Sequence, residues 1–144
     1  MNADQRRFPH EGITRRIIGV FFDVYNELGY GFLEPVYQEA MSMALGSAGL
    51  HVQREFGLEA HFRGRMIGLF KADFLVNHCV IVELKAVKEL GRSHDAQVLN
   101  YLKAGMLEVA LLLNFGPRAQ IRRLAFSNDR KTHRASDDIC VHLR

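Results

Sequence analysis

Three charged side chains, those of Asp73, Glu83 and Lys85, interrupt one of the most apolar parts of the sequence. Glu83 and Lys85 are two residues apart on a predicted strand, so their side chains point to the same face of the sheet. Burying charges among apolar side chains is costly unless they are paired or bind a metal ion. The pattern indicates either a functional site or a cross-strand salt bridge of Lys85, and these residues alone do not decide between the two.

The chemistry that these residue types could support is metal-dependent. Carboxylate oxygens are ligands for Mg²⁺ or Mn²⁺, ions that keep several waters and take further oxygens from phosphate groups. A lysine such as Lys85 could orient or deprotonate a water molecule, or offset charge in a transition state. The sequence leaves the choice between these roles open.

Helical spacing of apolar residues predicts three helices that would position this cluster. The first covers residues 12–28 and the second covers residues 34–48, each followed by a glycine. The third covers residues 93–105, with Ser93 as its cap. Its predicted apolar side consists of Ala96, Leu99, Leu102 and Met106.

Branched and aromatic residues predict strands in the second part of the chain. An antiparallel meander with a turn at Arg63-Gly64 should begin after His51. Its segments are VQREF, LEAHF, MIGLF, KADFLV and CVIVELK. The apolar run at residues 109–115 is typical of a strand covered on both faces, and one more strand is predicted at residues 121–126.

The length of the turn after Val76 decides whether the two carboxylates can meet. A plain two-residue turn would pair Asp73 with Val82, which places Asp73 and Glu83 on opposite faces. A turn with an odd number of residues, or a β-bulge, would instead pair Asp73 with Glu83. Because the strands are apolar on both faces, the pattern does not fix this register, and a shared metal site requires the second arrangement.

Several motifs appear in a fixed order along the chain. The first is GxxExxY, with Gly31, Glu34 and Tyr37, and the second is KAD followed by ELK, with Asp73, Glu83 and Lys85. HxxQxxxY follows, with His94, Gln97 and Tyr101, and the last is LNFG at residues 113–116. Over about residues 10–126 this order resembles the small prokaryotic GxxExxY proteins, a branch of the PD-(D/E)XK nuclease superfamily. An ExK motif alone carries little information, whereas the ordered set is much more specific.

The resemblance implies an α/β protein with a restriction-endonuclease-like mixed sheet, formed by an antiparallel meander and later strands and flanked by helices. It implies that Asp73, Glu83 and Glu34 bind Mg²⁺ or Mn²⁺ and that Lys85 is the catalytic lysine. Gln97 and Tyr101 would match the QxxxY of RecB-like exonucleases. Ala72 replaces the family's proline, which contacts no metal. Two cysteines cannot supply the four ligands of an iron–sulfur cluster, so none is expected.

Other polar residues are weaker candidates for nucleic-acid contacts. Tyr37 shares a helical face with Glu34, and His94 shares one with Gln97, although Tyr37 could also pack in the core and His94 could simply start a solvent-facing helix. Arginines at the hairpin turn and on the last strand could touch a phosphate backbone or merely be solvated. These arginines are Arg63, Arg65, Arg122 and Arg123.

Composition limits the classes of function. The 144 residues predict one domain at residues 1–128, which the resemblance makes nuclease-like, followed by a polar, basic tail at residues 129–144. The net charge of +3 has its surplus after residue 117, which would attract a polyanion. We expect a nuclease in the reducing cytoplasm, with no membrane association and with DNA favoured over RNA as substrate. A non-catalytic nucleic-acid-binding or scaffolding protein, an RNA nuclease and a homodimer stay open.

Overall fold

A five-stranded mixed sheet with helices on both faces organises the protein. The structure is a computed structural model, and it describes residues 10–131. The helices are α1 (Glu11–Leu28), α2 (Glu34–Ser47) and α3 (Arg92–Ala104). The strands are β1 (Val52–Phe62), β2 (Arg65–Val76), β3 (Val80–Lys85), β4 (Val109–Phe115) and β5 (Ala119–Ala125).

The strands lie in chain order across the sheet. β1, β2 and β3 form the predicted antiparallel meander, β4 runs parallel to β3, and β5 is antiparallel to β4. The parallel step is made through α3, as a parallel connection requires a crossover. The predicted α/β class with a restriction-endonuclease-like mixed sheet is therefore confirmed.

Two apolar layers cover the two faces of the sheet. Helices α1 and α2 pack on one face, where alternate β3 residues such as Val82 and Leu84 are buried. Helix α3 packs on the other face, against Ile81 and Leu112. Every residue of β4 is buried, which confirms the prediction of a strand covered on both sides.

The connection between β2 and β3 has three residues, so Val76 pairs with Val80. Asn77 and His78 both have left-handed backbone angles, with φ of 50° and 60°. Asn77 also exchanges two hydrogen bonds of 2.8 Å with the backbone of His51, donating through its own N–H and accepting through its side chain. The register that allows Asp73 to meet Glu83 is confirmed.

The β2–β3 ladder ends at the pair Phe74 and Val82, directly before Asp73 and Glu83 would pair. The β1–β2 ladder is also interrupted here, because Glu55, opposite Asp73, has a φ of 50° and makes no ladder pair. The strands therefore separate where the predicted site lies. We call this place the strand split, formed by Glu55, Asp73 and Glu83.

Beyond the split, β1 and β2 continue as a two-stranded extension. The predicted short segments merge into two long strands, joined by the predicted turn at Arg63-Gly64. β3 pairs only with residues 74–76 of β2, so residues 57–71 of the hairpin have no third strand. We call residues 57–71 the β1–β2 arm.

Helix α3 differs from its prediction in its cap and in its buried face. It is capped at Gly91 rather than Ser93, with the His94 Nδ1 accepting a 2.8 Å hydrogen bond from the Gly91 N–H. Its buried residues are Val98, Tyr101, Leu102 and Ala104, whereas the predicted core residue Ala96 is exposed. The prediction is confirmed for Leu102 and for Leu99, which packs against the same core cluster, and is wrong for Ala96. The buried face also includes Tyr101, whose ring is buried while its hydroxyl finds partners.

The chain remains packed beyond the last strand. Lys131 is buried, and its ammonium donates hydrogen bonds of 2.7 Å and 2.9 Å to the carbonyls of Gly105 and Leu107. These carbonyls follow α3, where a cation is favoured. The packed region thus includes the first residues of the predicted tail, and residues 132–144 lie outside the described part.

Candidate active site

Asp73 and Glu83 hold each other at the strand split through backbone hydrogen bonds. The Asp73 carboxylate accepts a 2.7 Å hydrogen bond from the Leu84 N–H, and the Glu83 carboxylate accepts one of 3.1 Å from the Asp73 N–H. The two carboxylates thus occupy the positions where ladder hydrogen bonds would otherwise form. Each carboxylate accepts a hydrogen bond from a backbone N–H group that has no ladder partner, so these buried N–H groups remain hydrogen-bonded.

Helix α3 supports Glu83 from the other side. The hydroxyl of Tyr101 lies 3.4 Å from Glu83 Oε2 and 3.2 Å from the carbonyl of Lys71, and Gln97 donates a 3.0 Å hydrogen bond to that hydroxyl. Gln97 and Tyr101 are four residues apart, so both face the same way on α3. The helix therefore fixes the rotamer of Glu83 through a short polar chain.

Lys85 lies beside Glu83 on the same face of β3. Its Nζ atom is 3.7 Å from Glu83 Oε2, and its side chain retains 16% of its exposure while that of Glu83 retains 5%. The distance makes this a loose ion pair rather than a tight hydrogen bond. Lys85 is therefore partly accessible and only loosely bound to Glu83.

Helix α2 contributes from the opposite face of the sheet. Gln38 donates a 2.9 Å hydrogen bond to Asp73 Oδ1. Burial raises the pKa of Asp73 and of Glu83, and the negative charge of Glu34, one turn earlier on the same face, adds to both increases. The strand split is thus bracketed by one helix on each side of the sheet.

Tyr37 positions the start of α2 and lies in the core. Its side chain is fully buried, and its ring stacks on that of Phe115 at a centroid distance of 4.1 Å. Its hydroxyl donates a 2.7 Å hydrogen bond to the Gly29 carbonyl and accepts one of 3.2 Å from the Phe32 N–H. Gly31, with a φ of 111°, lies in the loop that is fixed in this way. Tyr37 therefore anchors the loop before Glu34, and a buried ring has no surface to offer to nucleic acid.

The electrostatics of the site favour protonation of its carboxylates. Burial raises the pKa of Glu83 to about 7, and the negative charge of Asp73 adds to the increase. Burial also raises the pKa of Asp73, although the Leu84 N–H partly opposes this effect. The pKa of the Tyr101 hydroxyl is raised by burial and by the two carboxylates. Negative charge is crowded here with little water, and a cation would relieve it.

A cleft of about 260 Å³ opens at the split between α2 and the strands. Its walls include Gln38, Arg54, Glu55, Lys71 and Asp73. The Arg54 guanidinium is held 2.6 Å from Glu39, so it is already paired. The cleft gives solvent and a charged ligand access to Asp73.

The predicted three-carboxylate metal set is only partly assembled. Within residues 10–131, no group of three Asp, Glu, His or Cys side chains has an arrangement that could hold a metal ion. Glu83 accepts a hydrogen bond from the Asp73 N–H, whereas Glu34 affects the pKa of Asp73 only through its charge. Two carboxylates suffice for an ion of the Mg²⁺ type, which usually keeps several waters and takes oxygens from phosphate. The donor chemistry and the crowded charge of this pair fit such an ion.

The other weak candidates lie in different surroundings. His94 caps α3, as described above, and is half-buried rather than solvent-facing. Arg122 is 2.6 Å from Asp95 of α3, and Arg123 is 3.6 Å from Glu11 of α1. Arg63 and Arg65 are exposed at the end of the β1–β2 arm. The structure does not bring these residues together with Asp73 and Glu83.

Two polar residues at the split were not predicted from the sequence. Gln38 is four residues after Glu34 on α2, and this spacing was a usable signal for a shared face. Glu55 lies across from Asp73 only because of an irregular register in the β1–β2 hairpin. No local pattern indicates that register.

A family model described as the PD-(D/E)XK nuclease superfamily matches residues 11–124. The chain belongs to the PD-(D/E)XK nuclease superfamily. Membership indicates a hydrolase that acts on nucleic acid, and divalent metals are general in this superfamily.

A similar solved structure is the crystal structure of SSO0001, with 14% sequence identity and a TM-score of 0.48. The similarity covers 96% of this chain and 68% of that chain. None of the curated proteins matches the chain. Within residues 10–131, no helix is long and apolar enough to span a bilayer.

Proposed function

We propose that this protein is a metal-dependent nuclease of the GxxExxY type that hydrolyses phosphodiester bonds in DNA. The observation that carries the proposal is the meeting of Asp73 and Glu83 at the strand split, with Lys85 beside Glu83. Three charged groups at the end of an apolar ladder are costly for folding, and a reaction that needs them accounts for their presence.

Asp73 and Glu83 would hold Mg²⁺ or Mn²⁺, and Glu34 would add negative charge at longer range or ligate through water. When bound, such an ion polarises a phosphate and lowers the pKa of a bound water. Both carboxylates are already oriented, since each accepts a hydrogen bond from a β2 or β3 backbone N–H. Pre-oriented ligands lose little conformational freedom when they bind an ion.

The remaining side chains have distinct positioning roles. Gln97 and Tyr101 fix the Glu83 carboxylate, and Gln38 fixes that of Asp73. Lys85, which is only loosely paired, would orient the attacking water or stabilise the charge that develops on the phosphate. The carboxylates and the lysine thereby approach the scissile group from one face.

The GxxExxY assignment is supported by the role of its residues in the fold. Gly31 lies in the loop before α2 with a φ of 111°, where a side chain would be strained. The Tyr37 hydroxyl fixes this loop, and Glu34 begins the helix. The motif therefore holds one acidic residue at a defined distance from the strand split.

The nuclease proposal can be tested with purified protein. Circular, linear and single-stranded DNA, and RNA of matched length, should be incubated with Mg²⁺ or Mn²⁺ and with EDTA. We expect metal-dependent cleavage of DNA that is lost in Asp73→Asn and Glu83→Gln. Exposed Glu27 on α1 provides the control variant Glu27→Gln, which should cut like the wild type.

Cleavage that persists at the wild-type rate in both site variants would refute the site assignment. Cleavage of RNA but not of DNA would correct the substrate while keeping the mechanism. Binding of nucleic acid without cleavage under any of these conditions would favour the non-catalytic alternative.

A further inference from the structure

The β1–β2 arm exposes large apolar side chains next to the candidate site. Phe62, Met66, Ile67 and Leu69 retain 56%, 55%, 68% and 55% of their exposure. Apolar side chains clustered on one element, unlike single ones, commonly mark an interaction surface. The arm therefore has the character of an interaction surface.

The part of the arm around its turn is basic. Residues 62–71 include Arg63, Arg65 and Lys71 and contain no acidic residue. Within residues 10–131 the structure shows no ion pair for Arg63 or Arg65, and the Arg63 guanidinium lies 4.8 Å from the centre of the Phe62 ring. Positive charge interleaved with exposed apolar groups matches a polyanion that also carries flat rings.

A groove of about 250 Å³ lies between the arm and α3. The arm lines it with apolar side chains that include Phe62, Ile67 and Phe70, and α3 contributes Asn100 and Lys103. The apolar floor suits the face of a base, the Asn100 amide can donate and accept hydrogen bonds, and Lys103 can meet a phosphate.

The groove adjoins the α3 side of the candidate active site through Phe70 and Tyr101. The Phe70 ring lies 6.0 Å from that of Tyr101, whose hydroxyl contacts both Glu83 and the Lys71 carbonyl. Ile67 precedes Asp73 by six positions on β2, which corresponds to about 20 Å along a strand. A stacked nucleic-acid strand would span this distance with about six nucleotides.

We propose that the groove and the β1–β2 arm bind a single-stranded segment of the nucleic-acid substrate, and this proposal rests on the proposed nuclease function. Unpaired bases pack against Phe62, Ile67 and Phe70, while Arg63, Arg65 and Lys103 contact phosphates. A duplex would present phosphates, not base faces, to the apolar side chains. A second copy of the arm would bring like charges together.

The test measures binding by fluorescence anisotropy in EDTA, which removes the metal needed for cleavage. The probes are a labelled oligothymidine of about 16 nucleotides and a labelled duplex of the same length. Ile67→Gln should weaken single-strand binding by about 5- to 100-fold and duplex binding much less. Met43, on α2, retains 71% of its exposure, so Met43→Gln is the matched control and should bind like the wild type.

The charged contacts have a separate readout. Arg63→Gln should reduce the slope of log affinity against log salt by about 0.7 for a single strand. Arg15, whose side chain on α1 retains 75% of its exposure, gives the control Arg15→Gln, with an unchanged slope. Ultraviolet crosslinking of iodouridine oligonucleotides should label peptides of the arm or of α3.

Equal effects of Ile67→Gln and Met43→Gln would overturn the proposal, as would equal losses for single strand and duplex. Sedimentation that shows Ile67→Gln dissociating a dimer, with binding unchanged, would assign the surface to a second copy instead. Because Asp73 and Glu83 are intact in these variants, such failures leave the nuclease proposal standing. Conversely, strand binding that depends on the arm in a protein that does not cut would refute only the nuclease proposal.

Discussion

Replacing Glu83 with glutamine should stabilise the metal-free protein while it removes catalysis. Burial and the charge of Asp73 raise the pKa of Glu83, so the folded state prefers the protonated carboxyl. The contribution of Glu83 to stability is therefore fully present below its unfolded-state pKa and is lost as pH rises through its folded-state pKa. Glutamine does not titrate, and its amide can still accept from the Asp73 N–H.

The magnitude follows from the size of the pKa increase. A change from 4.5 to about 7 corresponds to an upper limit of about 3 kcal/mol at pH values above 7. Lost attraction to Lys85 and imperfect replacement of hydrogen bonds reduce this figure, so we expect a gain of about 1–3 kcal/mol, or roughly 3–10 °C in Tm. The gain should be near zero at pH 4 and should grow between about pH 4.5 and 7.5.

Urea unfolding followed by circular dichroism in EDTA, at a series of pH values, measures this difference. Glu27→Gln, at an exposed position on α1, controls for the loss of a surface carboxylate. Adding Mn²⁺ should stabilise the wild type and have less effect on Glu83→Gln, because binding to the native state alone stabilises it. A difference between wild type and Glu83→Gln that does not change with pH would refute this account of the buried carboxyl.

Three further predictions address the catalytic lysine, the packing and the charge distribution. Lys85→Met should lower turnover by at least about 100-fold while retaining Mn²⁺ binding in calorimetric titration, since an ammonium group is not a metal ligand. Gly116→Ala should destabilise the fold by more than about 2 kcal/mol in urea unfolding, because an added Cβ would lie 2.3 Å from the Val87 carbonyl. Deleting residues 132–144, which carry two arginines and two aspartates, should leave the salt dependence of nucleic-acid binding unchanged, as measured by anisotropy.

The prediction for residues 132–144 differs from the expectation that a basic tail at residues 129–144 binds the polyanion. The surplus of positive charge after residue 117 belongs mainly to residues 118–131. Within that segment Lys131 is buried, and Arg122 and Arg123 are near Asp95 and Glu11. A count of charges along the sequence locates the surplus but does not show which charges are already paired. The exposed arginines of the β1–β2 arm lie within residues 62–71, which contain no acidic residue, and they are the better candidates for phosphate contacts.

Periodicity predicted the helices and strands well because each is amphipathic or fully buried over its length. The register at the site was harder to predict. After the two-residue turn at Arg63-Gly64, Phe62 pairs with Arg65, and an unbroken ladder would place Glu55 opposite Ala72. A shift between Ala60 and His61 moves Glu55 opposite Asp73 instead. Such a bulge depends on packing between strands, which the local sequence does not encode.

The local sequence also did not determine the length of the turn after Val76. Two-residue and three-residue turns were both compatible with the apolar pattern, and only one brings Asp73 and Glu83 together. The structure adopts the three-residue form, in which Asn77 exchanges two hydrogen bonds with His51. These partners are 26 residues apart. A tertiary contact, rather than turn propensity, therefore favours the register that the site needs.

The strand split explains how an apolar sheet tolerates a charged site. The interruption of the β1–β2 and β2–β3 ladders at this place would leave the N–H groups of Asp73 and Leu84 without partners in a buried region, at a cost of about 1–3 kcal/mol each. The carboxylates of Glu83 and Asp73 accept these two hydrogen bonds. The same two side chains thus compensate the lost bonds, while Asp73 also lines the cleft and Glu83 faces Tyr101 and Lys85. Replacing either carboxylate with an apolar residue of similar size would remove one of these acceptors, whereas the amide substitutions chosen above retain it, so they separate the catalytic role of each carboxylate from its structural role.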